Sequence, residues 1–257
     1  MGAFEIMTAY YNEFDPKAAA WLRELIKQNL IAPGEVDGRS IEDVKPNDLK
    51  GYAQCHFFAG IGVWSYALRQ SGWSDNTPVW TGSCPCQPFS AAGKGTGFAD
   101  DRHLWPAFHH LIKECSPDVV FGEQVASKDG LAWLDLLCAD LEAEGYSVGA
   151  VDTCAAGVGA PHVRQRLYWA ADANSFRPQG CQLRLQEDKE WGVIAPSLLS
   201  ARNEWDSLHN ELPQSVVCPK NDGTSSIVGR LRGYGNALVA QQAQVFIEAY
   251  REVIAFS

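Results

Sequence analysis

Two periods of apolar residue alternate along this chain, one short enough for strands and one helical, and the switching between them predicts an α/β fold. Gln54-Cys55-His56-Phe57-Phe58 reads as a buried strand, Ala59-Gly60-Ile61-Gly62 as a glycine turn, and Val63 to Gln70 as a helix. Further on, Pro78 to Thr81 predicts a strand, Leu104 to Glu114 a helix, Asp118 to Gly122 a strand and Gly130 to Glu144 an amphipathic helix. In that last helix Trp133, Leu134, Leu137 and Leu141 recur at helical spacing and form one core-facing stripe. Ser147 to Cys154 and Arg166 to Ala171 predict two strands that finish the sheet as a hairpin. At the front, an apolar strand from Phe4 to Tyr11 is followed by a helix from Lys17 to Gln28, with Asp15 as its cap and Pro16 in its first turn.

The periodicity lapses over residues 172–232, where Pro178, Pro196, Pro213 and Pro219 cut the chain into short pieces, and returns in a glycine turn and long helix from Gly233 to Ala255. The expected organisation is therefore a core over 1–171, a small separate region over 172–232, and a terminal helix over 233–257 that returns to the core. At 257 residues, the chain is long enough for one large domain with a substantial buried core. No apolar run reaches membrane-spanning length, and Glu5 interrupts the N-terminal apolar stretch, which has no basic lead; a cytoplasmic monomer with no membrane partner is expected. Of the eight cysteines only Cys84 and Cys86 lie close together, so neither a disulfide framework nor a zinc spacing is visible. His109 and His110, neighbours on a helix, diverge by about 100° and do not chelate one ion well; no metal is expected.

Charge changes the picture by its distribution. The net charge of −10 argues against a general nucleic-acid binder. Yet residues 1–159 hold 11 basic and 21 acidic side chains, whereas residues 160–232 hold 9 and 8. A nucleic-acid face, if present, belongs to the second segment together with the loop around Cys86, with the acidic remainder turned away.

That loop carries the candidate chemistry. Pro85-Cys86-Gln87 places a thiol on a tight turn just after a strand, where a thiolate finds exposure and nearby donors. Downstream, in order, come Phe121-Gly122-Glu123-Gln124-Val125, Arg164-Gln165-Arg166 and Gly235-Asn236-Ala237. Together these resemble the DNA cytosine-5 methyltransferase family, whose members carry Pro-Cys-Gln, Glu-Asn-Val, Gln-x-Arg-x-Arg and Gly-Asn-x-Val. The resemblance covers most of the chain, and its compact form looks phage-like or prophage-like. It implies a Rossmann-like class I S-adenosylmethionine-dependent sheet with helices on both faces and a small target-recognition insertion. Phe58, Ala59, Gly60, Ile61 and Gly62 then match the S-adenosylmethionine loop, with Val63 where a third glycine is frequent. Pro85, Asn236 and Ala237 fall beside the same cofactor. Gln124 replaces the family asparagine, and His162 stands where the glutamine before the arginines is usual.

Between Gly72 and Pro85 there is room for one strand, although the family inserts two further strand-helix units there. The Phe4 to Gln28 segment, then Gly34 to Asp37 and Ser40 to Val44, have the form of those missing units. Two readings stay open: a well-capped N-terminal helix with no ligand role, or ribose and adenine units placed ahead of the glycine loop. Under the second, Glu13 holds the ribose hydroxyls, Phe14 lies beside it and Asp37 meets the adenine amine. Strand crossovers strongly favour one hand, so a re-ordered chain must route its helix between the family's first and fourth strands differently, by a path these residues do not disclose.

By resemblance, Cys86 adds to carbon 6 of cytosine, Glu123 serves ring nitrogen 3 with a pKa raised by burial, Arg166 donates to the carbonyl oxygen and Arg164 supports the Cys86 loop. The target base in duplex DNA must be swung out of the stack. Gln87, Ser90, Lys94 and Arg102 are the expected DNA contacts, Lys94 and Arg102 being otherwise plain exposed charges. A tRNA-methylating member and a catalytically silent nucleic-acid-binding relative share these motifs. A thymidylate synthase-type enzyme shares only the cysteine chemistry. The target site and any accompanying restriction enzyme are not written in these residues.

Overall fold

The computed structural model describes residues 8–85, 104–160, 164–173 and 238–255. Within them, seven strands form one sheet: β1 (Ala9–Asn12), β2 (Gly34–Asp37), β3 (Gln54–Phe57), β4 (Val79–Gly82), β5 (Val119–Val125), β6 (Ser147–Cys154) and β7 (Gln165–Asp172), in the order β2-β1-β3-β4-β5-β7-β6. The first five are parallel, and β7 runs antiparallel between β5 and β6. With helices on both faces, this is the Rossmann-like sheet that the sequence leads one to expect.

Side chains alternate across the pleat and sort the helices into two layers. Helices α1 (Pro16–Lys27), α2 (Val63–Gln70) and α5 (Ala240–Ala255) cover one face, against Tyr11, Val79, Val119, Phe121 and Tyr168. The 3-10 turns Ile41–Asp43 and Pro46–Leu49, with α3 (Trp105–Cys115) and α4 (Lys128–Ala143), cover the other, against Tyr10, Phe57, Trp80, Val120 and Trp169. The predicted core stripe of α4 is buried as expected: Trp133, Leu137 and Leu141 are each at most 2% exposed.

Connectivity holds the one topological surprise. From β1 to β2 the chain steps toward the β2 edge with α1 on the first face; from β3 to β4 it steps the opposite way with α2 on that same face. Parallel crossovers that step in opposite directions over one face have opposite hands. The steps β2 to β3 and β4 to β5 pass over the second face and share the hand of α1. Three crossovers thus keep the usual right hand and the α2 crossover is the left-handed exception.

Several boundaries moved. The α1 helix starts at Pro16 and is capped as expected, Asp15 Oδ1 accepting from the Lys17 and Ala18 amides at 2.8 and 3.0 Å. Ser40 to Val44 forms a 3-10 turn, not a strand. The strand expected to stop at Gly122 continues to Val125, because β7 pairs with it along its whole length. The expected start of the first strand at Phe4 and the region 174–237 lie outside the described residues.

Candidate active site

All parallel strands end on one side of the sheet, and the loops there gather most of the candidate residues. At the end of β3, Phe58, Gly60 and Gly62 all have positive φ (52°, 55° and 81°), so the chain reverses tightly into α2. Gly62 cannot be replaced cheaply: a Cβ there lies 3.1 Å from Leu22 and 3.2 Å from Ile31, in a backbone region that L-residues avoid. Its N–H donates to Ala59 O at 2.9 Å, closing the turn.

Glu13, the residue after β1, reaches this turn from the neighbouring strand. Its Oε2 accepts from the Gly60 amide at 2.6 Å and its Oε1 from the Asp15 amide at 2.8 Å. The carboxylate therefore sits against the glycine turn, forty-seven residues away in sequence. Phe14, next in the chain, is 74% exposed, which leaves its ring face open to solvent beside the turn. Asp37, at the end of β2, is engaged differently. It accepts from Tyr10 Oη at 2.6 Å and from Arg39 Nη2 at 2.7 Å, and Arg39 also bridges to Asp48 at 2.9 Å. Burial resists its ionisation, but the hydrogen bonds from Arg39 and Tyr10 win and lower it to about 2. Any ligand amine at Asp37 competes with Arg39. Sequence reading missed Arg39, whose role depends on two carboxylates that only the fold brings together.

The second corner is built from charge. Glu123 on β5 faces β7, and its Oε1 lies 2.6 Å from Arg166 Nε; the two side chains are only 12% and 17% exposed. Burial pushes the Glu123 carboxyl up, while Arg166 and Arg164 pull it down, and burial prevails. Arg164 is lowered by burial and by the charge of Arg166, with Glu123 opposing. A carboxyl in this setting holds its proton more tightly than an exposed one and is still oriented by an arginine. Tyr168, in register opposite Glu123, is fully buried on the same face; sequence reading passed over it, although its position two residues beyond Arg166 puts it on the same side of a strand.

Between the corners runs the β4 end. Ser83 Oγ accepts from Trp64 Nε1 at 3.0 Å, tying the loop after β4 to α2, and Pro85 stands exposed at the edge of the described residues. Cys84 is buried and burial pushes its thiol up, so it is inert as a nucleophile. Cys86, Gln87, Ser90, Lys94, Arg102, Asn236 and Ala237 lie outside the described residues. Ala59 and Ile61 complete the glycine turn as half-buried residues.

Comparison with known proteins decides the class. Residues 68–214 match the C-5 cytosine-specific DNA methylase family. The chain belongs to that family. It is similar to the type II methyltransferase M.PspPI of Psychrobacter sp. (strain TA137), 29% identical over 149 residues, covering 42% of this chain and 36% of that protein. It is also similar to the type II methyltransferase M.HhaI of Haemophilus parahaemolyticus, 34% identical over 102 residues, covering 38% of this chain and 31% of the relative. The chain thus spans about a third of the length of these curated methylases. Among solved structures, a mutant of Spodoptera frugiperda DNMT2 aligns with a TM-score of 0.45 at 19% identity, covering 70% of this chain and 48% of that one. The family uses S-adenosylmethionine. No helix among the described residues of this methylase-family chain is long and apolar enough to cross a membrane.

Proposed function

We propose that the protein transfers a methyl group from S-adenosylmethionine to carbon 5 of cytosine in duplex DNA, with Cys86 as nucleophile. The observation that carries the reading is the buried Glu123–Arg166 pair at 2.6 Å, on the strand next to the one that leads into Cys86, in a chain of this family.

The chemistry follows from what cytosine lacks. Its carbon 5 is a weak nucleophile until a bond forms at carbon 6. The Cys86 thiolate makes that C–S bond, the displaced electron pair moves toward carbon 5 and ring nitrogen 3, and Glu123 holds a proton at nitrogen 3. Arg166 donates to the ring carbonyl oxygen while orienting Glu123, and Arg164 supports the Cys86 loop. When bound, S-adenosylmethionine supplies an electrophilic methyl group to carbon 5. Loss of the carbon 5 proton then returns an electron pair to the ring and expels the Cys86 thiolate.

The cofactor's place is read from fit. In the tight turn from Phe58 to Gly62 the space over Gly60 is open, so a ligand can approach the backbone there; Glu13 is held against it to take ribose hydroxyls, and exposed Phe14 offers a stacking surface. This is the re-ordered arrangement, with the ribose and adenine units ahead of the glycine loop. The sheet order supports it: β3 is third in the chain yet lies between β1 and β4, and the left-handed α2 crossover is the unusual routing that such an order demands.

The test is incubation of duplex DNA containing 5-fluorocytosine with S-adenosylmethionine and the protein, scoring an adduct that survives denaturation. Fluorine cannot leave as a cation, so the enzyme is trapped on the base. An adduct that disappears in Cys86→Ala fits the proposal; failure on DNA by protein that binds the cofactor would refute the DNA substrate and direct the same assay to tRNA.

A further inference from the structure

We propose that Tyr168 is the positioning residue for Glu123, its hydroxyl donating toward the Glu123 carboxylate through one water, and so setting the acid's proton affinity. The inference deepens the reaction proposed above and rests on it for its consequence, although the contact can be tested without turnover.

The geometry is specific. Glu123 and Tyr168 are directly opposite in the antiparallel β5–β7 pair, so both side chains leave the sheet on the same face. The Tyr168 ring is clamped between Trp64 of α2, with centroids 5.8 Å apart at 71°, and Phe246 of α5 at 5.4 Å. That clamp leaves the phenol little choice of direction. Tyr168 is fully buried, and its hydroxyl has no hydrogen-bond partner among the described residues. A buried hydroxyl left unpaired is costly, so the position calls for an acceptor.

The surroundings name the acceptor. The charged groups that act on Tyr168 are Glu123, Arg164 and Arg166. The arginines are donors only and cannot accept from a phenol. The α2 and α5 residues that close over the ring, Trp64 and Phe246, carry no charge, and the other phenol on α5, Tyr250, is spent on Asp172 at 2.7 Å. Of the acceptors among the described residues, which include the buried and unpartnered Gln242 Oε1 of α5, the one that is charged and directly opposite the phenol is Glu123. Its Oε1 is beside Arg166, and a second donor from Tyr168 fixes the rotation of the carboxyl while drawing its pKa back from the rise that burial causes. Burial also pushes the Tyr168 phenol up, so it stays protonated and acts as a fixed donor rather than a proton carrier.

The decisive measurement is a pH titration of the Glu123 carboxyl by carbon-13 NMR in protein labelled at glutamate, the resonance being assigned by its loss in Glu123→Gln. Removing a donor from a carboxylate raises its pKa, so Tyr168→Phe is expected to move the midpoint upward by about one pH unit. Incorporating 3-fluorotyrosine at position 168 makes a stronger donor and is expected to move it downward, and it keeps the ring's shape if the phenylalanine variant does not fold. The basic limb of the pH profile for adduct formation is expected to shift with the midpoint. A merely structural tyrosine would lower activity without moving either. Midpoints unchanged in the variants overturn the inference, whereas absence of any adduct in the unmodified protein overturns the reaction and leaves the titration standing.

Discussion

Glu13 and Glu123 stand near the same edge of one sheet and are held in opposite ways. Glu13 is half-exposed and lies against backbone amides of a glycine turn and a helix start, a setting made of main chain. Glu123 is buried between side chains, with Arg166 at 2.6 Å, Arg164 near and a tyrosine opposite. The first arrangement suits a ligand that arrives with hydroxyls and must leave again. The second suits a proton that must be held in one place, because low dielectric surroundings strengthen each charge that acts on it.

If the difference is one of binding against chemistry, mutations should separate it. Glu123→Gln is expected to reduce the rate of adduct formation by about 10²–10⁴-fold with cofactor affinity unchanged in calorimetry. A parallel loss of cofactor affinity would erase the distinction. Both corners rest on a common floor, and acid should undermine them together. His56 of β3 is buried between Thr81 at 2.8 Å and Gln54 at 3.2 Å and stacked on Tyr11. Burial lowers its pKa from 6.5 to about 3. The unfolded chain then binds a proton that the native state refuses, so its contribution is complete above pH 6.5 and is lost as pH falls toward 3. The expected loss is on the order of 4 kcal/mol, read as falling denaturant midpoints, and His56→Gln should flatten that slope.

Smaller effects belong to the glycine corner alone. Gly62→Ala is expected to cost about 1–3 kcal/mol of stability, from positive φ and the contacts with Leu22 and Ile31, while leaving the Glu123 titration unmoved. Glu13→Ala should weaken cofactor binding about tenfold, as loss of a charged hydrogen-bond acceptor does, and spare the adduct rate at saturating cofactor. Unchanged affinity would remove Glu13 from the cofactor site.

The two corners also differ in how far sequence alone discloses them. Local chemistry was readable: α2 runs from Val63 to Gln70 and β6 from Ser147 to Cys154 as the pattern predicts, and Asp15 caps α1. Gly60 and Gly62 were visible as a turn, since positive φ is what glycine is for. What long-range pairing creates was not readable. The extension of β5 through Glu123 to Val125 needs β7, some forty residues later, and the Asp37–Arg39–Asp48 bridge needs the turn after β2 to fold back. Tyr168 needed both, a strand assignment and its register against β5. The loop of Cys86, the proposed nucleophile, lies outside the described residues and was singled out by its motif alone.

The left-handed passage through α2 has a consequence for how the molecule is made. Among the described elements, β1, α1 and β2 precede the rest as the chain leaves the ribosome, a parallel pair whose inner edge at β1 awaits a partner. The strand that must cover this edge, β3, is synthesised next, and only then does β4 extend the sheet outward. Through β5 each new strand can be laid against an exposed edge, whereas β6 has no partner in the sheet until β7 is made and takes its place between β5 and β6.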